Sequence, residues 1–258
     1  MFHAGPAQMY FPRSRGFWRF AFWLLFRASG AIICNLESVK AEIVKYGVSP
    51  DKVHPIFSVA YEPEELPVPL SEKVEAFLQS HEPRLFSYTL FRPEFTRECL
   101  FQAFAGILKH YPNAGLLIAG PREVPDEVRA EMKKWGVEDR IHVAGNMDHA
   151  QFLTAIQRSV VSIRTHLRDG LCASVLEALE LGVPVVAAED GQRPASVITY
   201  APADAADLQA KLLEVLANPS AARAKVILPQ LHKGLDEEIS VLLRAAGVKH
   251  GIPKRVAT

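Results

Sequence analysis

Cysteine is scarce in this chain. The three residues Cys34, Cys99 and Cys172 are dispersed over 258 positions at intervals that match no metal spacing. An odd, scattered set of this kind reads as free thiols in a reducing compartment, and it predicts no metal site. A surplus of either charge is also missing, since 29 lysines and arginines balance 29 aspartates and glutamates. Nucleic-acid binders normally carry a basic excess, so nucleic acid is not an expected partner. Repeats and low-complexity tracts are lacking. The apolar stretch 17–26 (FWRFAFWLLF) is interrupted by Arg19 and closed by Arg27, and it falls short of the roughly 20 residues that a bilayer span needs. It is not a clean secretory signal either. No G-x-G-x-x-G follows a strand, which disfavours a nicotinamide dehydrogenase. Neither a phosphate-binding G-x-x-x-x-G-K-[ST] loop nor a G-x-S-x-G nucleophile elbow occurs, which disfavours a P-loop ATPase and a serine hydrolase. Any phosphate must therefore be handled by side chains and helix N-termini, and no cofactor is called for.

What remains is a chain that is 49% hydrophobic and 22% charged, able to bury one large core or two small ones. Arginines 13, 15, 19 and 27 surround Trp18, Phe20, Phe22, Trp23 and Phe26. This segment reads either as a helix in the interface of an anionic membrane or as a buried helix between domains. Residues 31–35 form a short strand candidate, 36–46 a helix stopped by Gly47, and 53–57 another strand. The stretch 62–69 carries three prolines and three acids and reads as a linker. From Arg84 onward, strands at 84–89, 115–119, 140–144, 159–164, 183–188 and 195–199 alternate with helices at 97–110, 125–135, 149–157, 172–181 and 205–217. Short apolar strands alternating with amphipathic helices predict an α/β fold, a Rossmann-like parallel sheet with helices on both faces. Ligands of such sheets lie outside the carboxyl ends of the strands, where the winding reverses.

One segment carries more than fold. Asp169-Gly170-Leu171 is followed by Glu177 eight positions after the aspartate, and then by Leu181-Gly182-Val183-Pro184-Val185-Val186-Ala187. This resembles the pattern E-G-F-G, four residues, E-A-x-A-x-G-x-P-V-V-A of retaining GT-B glycosyltransferases of the group 1 type. Gly120, the run 136–143 (GVEDRIHV), Gly145 and Phe152 resemble the family's G-L-x-D-R-V-x-F-x-G stretch and the helix after it. Residues 33–48 resemble the end of the family's first domain. The likeness covers about residues 30–220.

The resemblance implies a nucleoside-diphosphate-sugar donor and transfer of its glycosyl group with retention. Asp169 and Gly170 precede a helix whose N–H groups and positive dipole end suit a diphosphate or sugar. Asp169 would accept hydrogen bonds from sugar hydroxyls; the local alternative is an N-cap. Glu177, set on the helical face opposite the apolar Leu171, Val175, Leu176 and Leu179, would hold the ribose hydroxyls; the local alternative is a solvated helix residue. Residues 91–97 (FRPEFTR) resemble the family's F-R-P-E-K loop, where an arginine and a lysine stabilise the departing diphosphate. Arg92 matches the arginine. Phe95 occupies the lysine position, and Arg97 is either a substitute cation or a surface residue of the next helix. Arg164 and His166 lie at the end of the 159–164 strand, the edge where ligands bind; the local alternative for His166 is a solvent-facing histidine.

The domain division expected is a remnant of the acceptor domain with its linker at 1–70, a nucleotide-sugar-binding domain at 71–225, and a C-terminal helix and tail at 226–258. About 60–80 residues before the boundary are fewer than a whole domain needs, so most of the acceptor half is expected to lie outside this chain. Two functions stay open: a cytoplasmic hexosyltransferase, peripheral to a membrane if its glycan acceptor is lipid-linked, and a non-catalytic nucleotide-sugar-binding or assembly subunit. An incomplete first domain leaves an apolar face that predicts self-association or a partner chain.

Overall fold

The computed structural model describes residues 14–56, 66–167, 169, 172–229 and 231–247. Contacts divide the chain into two compact units, residues 63–229 and residues 1–62 with 230–258.

The smaller unit holds α1 (Gly16–Ala28), β1 (Ile32–Cys34), α2 (Glu37–Val44) and β2 (Val53–Pro55). β1 and β2 pair in parallel, with Ile32 opposite Val53. Phe26, Ile32, Cys34, Val39, Ile43, Tyr46, Val48 and Val53 make its core. The C-terminal helix Leu231–Ala245 belongs to this unit, where Val241 packs with Ile33 and Ile56. The buried-helix reading of 17–26 is corrected. Phe26 is the buried residue of α1, while Phe17 is 74% and Trp18 66% exposed.

In the larger unit, α3 (Glu72–Ser80) leads into β3 (Arg84–Tyr88), α4 (Arg97–Leu108), β4 (Gly115–Ala119), α5 (Asp126–Lys134), β5 (Ile141–Gly145), α6 (His149–Gln157), β6 (Val161–Arg164), α7 (Ala173–Glu180), β7 (Val185–Ala188), β8 (Ile198–Tyr200), α8 (Ala205–Ala217) and α9 (Pro219–Ala224). Within these spans the side-chain period dictates the layers. Successive strand residues point to opposite faces. Leu85, Leu116, Ile118, Val186 and Ala188 pack under Leu100, Phe104 and Ile107 of α4 and Leu208 and Leu212 of α8. Their neighbours Phe86, Leu117, Ala119, Val185 and Ala187 pack on the other side with Val74 and Leu78 of α3, Ile156 of α6 and Leu179 of α7. Burial on both faces explains why the strands read as unbroken apolar runs. α8 is capped by Asp204, whose side chain accepts from the amides of Ala206 and Asp207, as helix starts require. The last strand begins later than the apolar pattern predicts because the Val197 amide turns back onto the Pro194 carbonyl at 3.0 Å.

All six strands are parallel, in the order β5-β4-β3-β6-β7-β8. Counted within the unit this is 3-2-1-4-5-6, the doubly wound order. Its winding reverses between β3 and β6, and there a crevice opens at the carboxyl ends.

Gly120, just past β4, shows how tightly that edge is built. Its φ is +116°, and a Cβ there would lie 2.7 Å from the Thr89 carbonyl oxygen. Gly120→Ala is expected to destabilise the chain by about 2 kcal/mol or more, read as a drop in the urea midpoint with an unchanged slope.

Candidate functional site

Two loops meet at the reversal point. The loop after β3 runs through a short 3-10 turn, Pro93–Phe95, into Thr96. The loop after β6 carries Thr165, His166 and Leu167. They are stitched together: Thr96 Oγ1 donates to the Thr165 carbonyl at 2.9 Å, the Leu167 amide to the Glu94 carbonyl at 3.0 Å, and Thr165 Oγ1 to the Phe95 carbonyl. Thr96 sits at φ +40°, a conformation that a β-branched residue adopts only when its surroundings impose it.

At the seam lies a buried cluster of four charges. Arg164, the last residue of β6, donates from Nε and Nη2 to both Asp169 carboxylate oxygens at 2.6 Å each. Its Nη1 donates to the Tyr88 carbonyl at 2.8 Å. Its guanidinium lies 5.2 Å from the Tyr88 ring centre and 5.0 Å from that of Phe95, geometry in which a cation is attracted to an aromatic ring. Arg193, in the loop after β7, reaches Asp169 Oδ2 at 3.3 Å, the His166 carbonyl at 3.3 Å and the Ala188 carbonyl at 2.9 Å. Asp190 closes the set, 3.5 Å from Arg193 Nη2 and 3.3 Å from the Asp169 amide. None of the four side chains is more than 9% exposed. Two cations and two anions cancel, which is the arrangement that makes buried charge tolerable.

Burial pushes the Asp169 carboxyl upward, but the hydrogen bonds and charge of Arg164 outweigh it and leave it below its ordinary value. His166 stands with Nδ1 3.8 Å from Asp169 Oδ1 and meets the Phe95 ring edge-on at 4.6 Å. Burial lowers its pKa, and the pull of Asp169 does not offset that.

Glu177, on α7, pairs with a different partner. α7 is enclosed, with every residue from Ser174 to Leu179 buried. The local alternative, a solvated helix residue, is therefore not what the structure has, because α6 packs against that face. The Glu177 side chain is 8% exposed and meets His149 Nε2, at the start of α6, at 2.9 Å. Arg92 is exposed at the head of the turn. Arg97 points to the helix on the same face of the sheet, donating from Nε to Glu131 Oε2 of α5 at 2.8 Å. Arg92 and Arg97 both line a cavity of about 420 Å³ with Gln102 and Glu131. Gly170 and Leu171 lie outside the described residues.

Asp169 and His166 are thus brought together, Glu177 is paired with His149, and Arg92 with Arg97 lines the cavity that Thr96 also borders. Arg193, Asp190 and His149 did not figure among the expected site residues, and Arg164 did so only as a neighbour of His166. A cation ending an otherwise apolar strand, with an acid five positions on, was the available signal for Arg164, since a buried charge demands a partner. His149 leaves no comparable mark in the sequence. Among the described residues no cluster of three or more histidine, cysteine or acidic side chains is placed to hold a metal ion.

A doubly wound parallel sheet with polar loops converging on its reversal point defines a class of α/β protein that binds ligands outside the carboxyl ends of its strands. The family model described as Glycosyl transferases group 1 matches residues 72–227, and the chain belongs to that family. A 99-residue stretch is 24% identical to an uncharacterized glycosyltransferase of Methanocaldococcus jannaschii, covering 38% of this chain and 24% of that relative. Among solved structures, the fold is similar to a glycosyltransferase from Rickettsia africae ESF-5 (TM-score 0.67, 17% identity, 88% of this chain and 67% of that one). It is similar to sucrose-phosphate synthase from Thermosynechococcus elongatus (TM-score 0.68, 18% identity, 95% of this chain and 67% of that one). It is also similar to HepE of Anabaena in complex with UDP-glucose (TM-score 0.63, 15% identity, 89% of this chain and 66% of that one).

Removing Asp169 would leave two buried guanidiniums without their shared carboxylate. Asp169→Ala is expected to cost about 3–5 kcal/mol at pH 7. Because the folded-state carboxyl titrates below its unfolded value, its contribution is present above about pH 4 and is lost as pH falls through the folded value. The gap between wild type and variant in urea melts should therefore narrow toward pH 2.

Proposed function

We propose that this chain binds a nucleoside-diphosphate sugar and transfers its glycosyl group, with retention, to a glycan or lipid-linked acceptor at a cytoplasmic site. The single observation that carries the reading is Glu177: a nearly buried carboxylate held by His149, in a chain of this family, at the position the family resemblance assigns to ribose. A carboxylate fixed in this way can accept both ribose hydroxyls while its orientation is held by the imidazole. The complex of HepE with UDP-glucose supports a donor of this chemical type.

In the reaction the bond from the anomeric carbon to the diphosphate oxygen breaks and its electron pair leaves with the nucleoside diphosphate. The acceptor oxygen bonds to the same face of the sugar, and the acceptor proton passes to an oxygen of the departing phosphate. Arg92 and the first-turn amides of α7 would supply the positive field that favours this departure. His166 would border the sugar and diphosphate. Arg97, already paired with Glu131, would contribute only by exchanging that partner for phosphate.

A second reading is favoured by the charge cluster. Asp169, the acid expected at the sugar, spends its oxygens on Arg164 and Arg193. Phe95, in the lysine position, is 5% exposed and shields Arg164. A lysine there would set a second cation against that guanidinium. These features suit a subunit that holds a nucleotide sugar and works with a partner chain supplying the acceptor side.

Calorimetric titration with UDP, GDP and ADP tests the shared part of both readings. One of the three is expected to bind, and Glu177→Ala to weaken it at least tenfold. His149→Ala should weaken it by about tenfold, the loss of one hydrogen bond to a charged group. Absence of binding by all three nucleotides would sink the proposal. Release of nucleoside diphosphate from the matching sugar donor then separates the two readings: turnover by the chain alone supports the enzyme, and binding without turnover supports the subunit.

A further inference from the structure

The most unusual surface of the smaller unit is α1. Six of the nine exposed large apolar side chains among the described residues lie on this one helix: Phe17, Trp18, Phe20, Trp23, Leu24 and Leu25. They are not stray. Phe17, Phe20, Leu24 and Leu25 follow the i, i+3, i+7, i+8 spacing of one helical face. Phe22 and Phe26, four apart, face the core instead. The helix is therefore apolar on both sides, and such a helix belongs in a core or against a membrane. Its charged groups have a single sign. Arg15 precedes the helix and Arg19 and Arg27 lie on it, all three exposed, and no acidic residue occurs before Glu37 in a chain whose charges otherwise balance.

The arginines are placed to reach sideways. Arg27 lies 5.2 Å from the Trp23 ring centre and Arg19 5.1 Å from that of Tyr46. Beside the helix, Arg19, Lys45, Phe20, Trp23 and Tyr46 line an open cleft of about 600 Å³. Cations rimmed by aromatic rings suit phosphate headgroups above and acyl carbons below. A 13-residue helix is about 20 Å long, too short to cross a bilayer, and no helix among the described residues is long and apolar enough to do so.

We propose that α1 lies in the interface of an anionic lipid bilayer, inserting Phe17, Trp18, Phe20, Leu24 and Leu25 between headgroups while Arg15, Arg19 and Arg27 meet lipid phosphates. A membrane is favoured over a protein partner because every charged residue of α1 is basic, the neighbouring acid Glu42 being paired with Lys45, and an anionic bilayer is a uniformly anionic surface. This is independent of whether the larger unit binds a nucleotide.

Flotation of the full chain with phosphatidylglycerol–phosphatidylcholine vesicles, against pure phosphatidylcholine vesicles, tests it. The chain is expected to float with the anionic vesicles, with a blue shift of tryptophan emission, and to be released by salt. Phe17→Ser with Leu24→Ser should abolish flotation. Arg15→Gln with Arg27→Gln should weaken it by about thirtyfold on anionic vesicles alone. All four positions are exposed, and an unchanged circular-dichroism spectrum would verify folding. No flotation of the wild-type chain, or flotation that survives the serine pair, overturns the proposal. A concentration-dependent dimer that the serine pair disrupts, without vesicle binding, would overturn it in favour of a second copy covering the face.

Discussion

The Arg164–Asp169 ion pair is the constraint around which the larger unit's functional edge is organised. A guanidinium at the end of a central strand, enclosed by Tyr88 and Phe95, could not remain charged and unpartnered there without a large penalty. Asp169 answers it with both oxygens, and Arg193 and Asp190 bring in the loop after β7. Three separate connections, following β3, β6 and β7, are thereby tied to one another at the point where the winding of the sheet reverses. That tie fixes where the crevice is and which backbone lines it. It also commits the acid that the family resemblance would give to the sugar.

The fold was legible because its signals are redundant. The six strands of the larger unit are short and apolar because both faces are covered, and each is separated from the next by a helical stretch or by a turn rich in glycine and proline. Leu100, Phe104 and Ile107 repeat at helical spacing, and Leu85 with Phe86 illustrates how a continuous run divides between two layers. Boundaries were less legible. The start of β8 is set by the Pro194 turn, which periodicity does not encode. α9, a short helix at a junction, carries too few apolar positions to stand out, whereas α3 does carry the helical spacing of Val74, Phe77 and Leu78.

The site was legible only in part. Position and spacing identified Asp169 and Glu177, but not what each would touch, since a partner across 28 residues such as His149 is decided by how α6 packs on α7. The alternative reading of Glu177 as a solvated residue assumed a helix covered on one side, whereas α7 is buried from Ser174 to Leu179. The reading of α1 as a buried helix assumed that aromatic residues are core residues first, whereas the described residues of the smaller unit offer two three-residue strands to cover them. Arg97 shows the converse case: a cation in a promising loop was claimed by Glu131, a closer carboxylate on a neighbouring helix.

The central claim is that the crevice beyond β3 and β6, with Glu177 in its wall, is where a nucleotide rests. Hydrogen exchange of the full chain, with and without saturating UDP, GDP or ADP, tests it most directly. The account predicts that one nucleotide slows exchange in three separate stretches, residues 89–97, 145–150 and 165–177, and leaves the smaller unit unchanged. Protection confined to another region, or the same exchange in the presence of all three nucleotides, would contradict it.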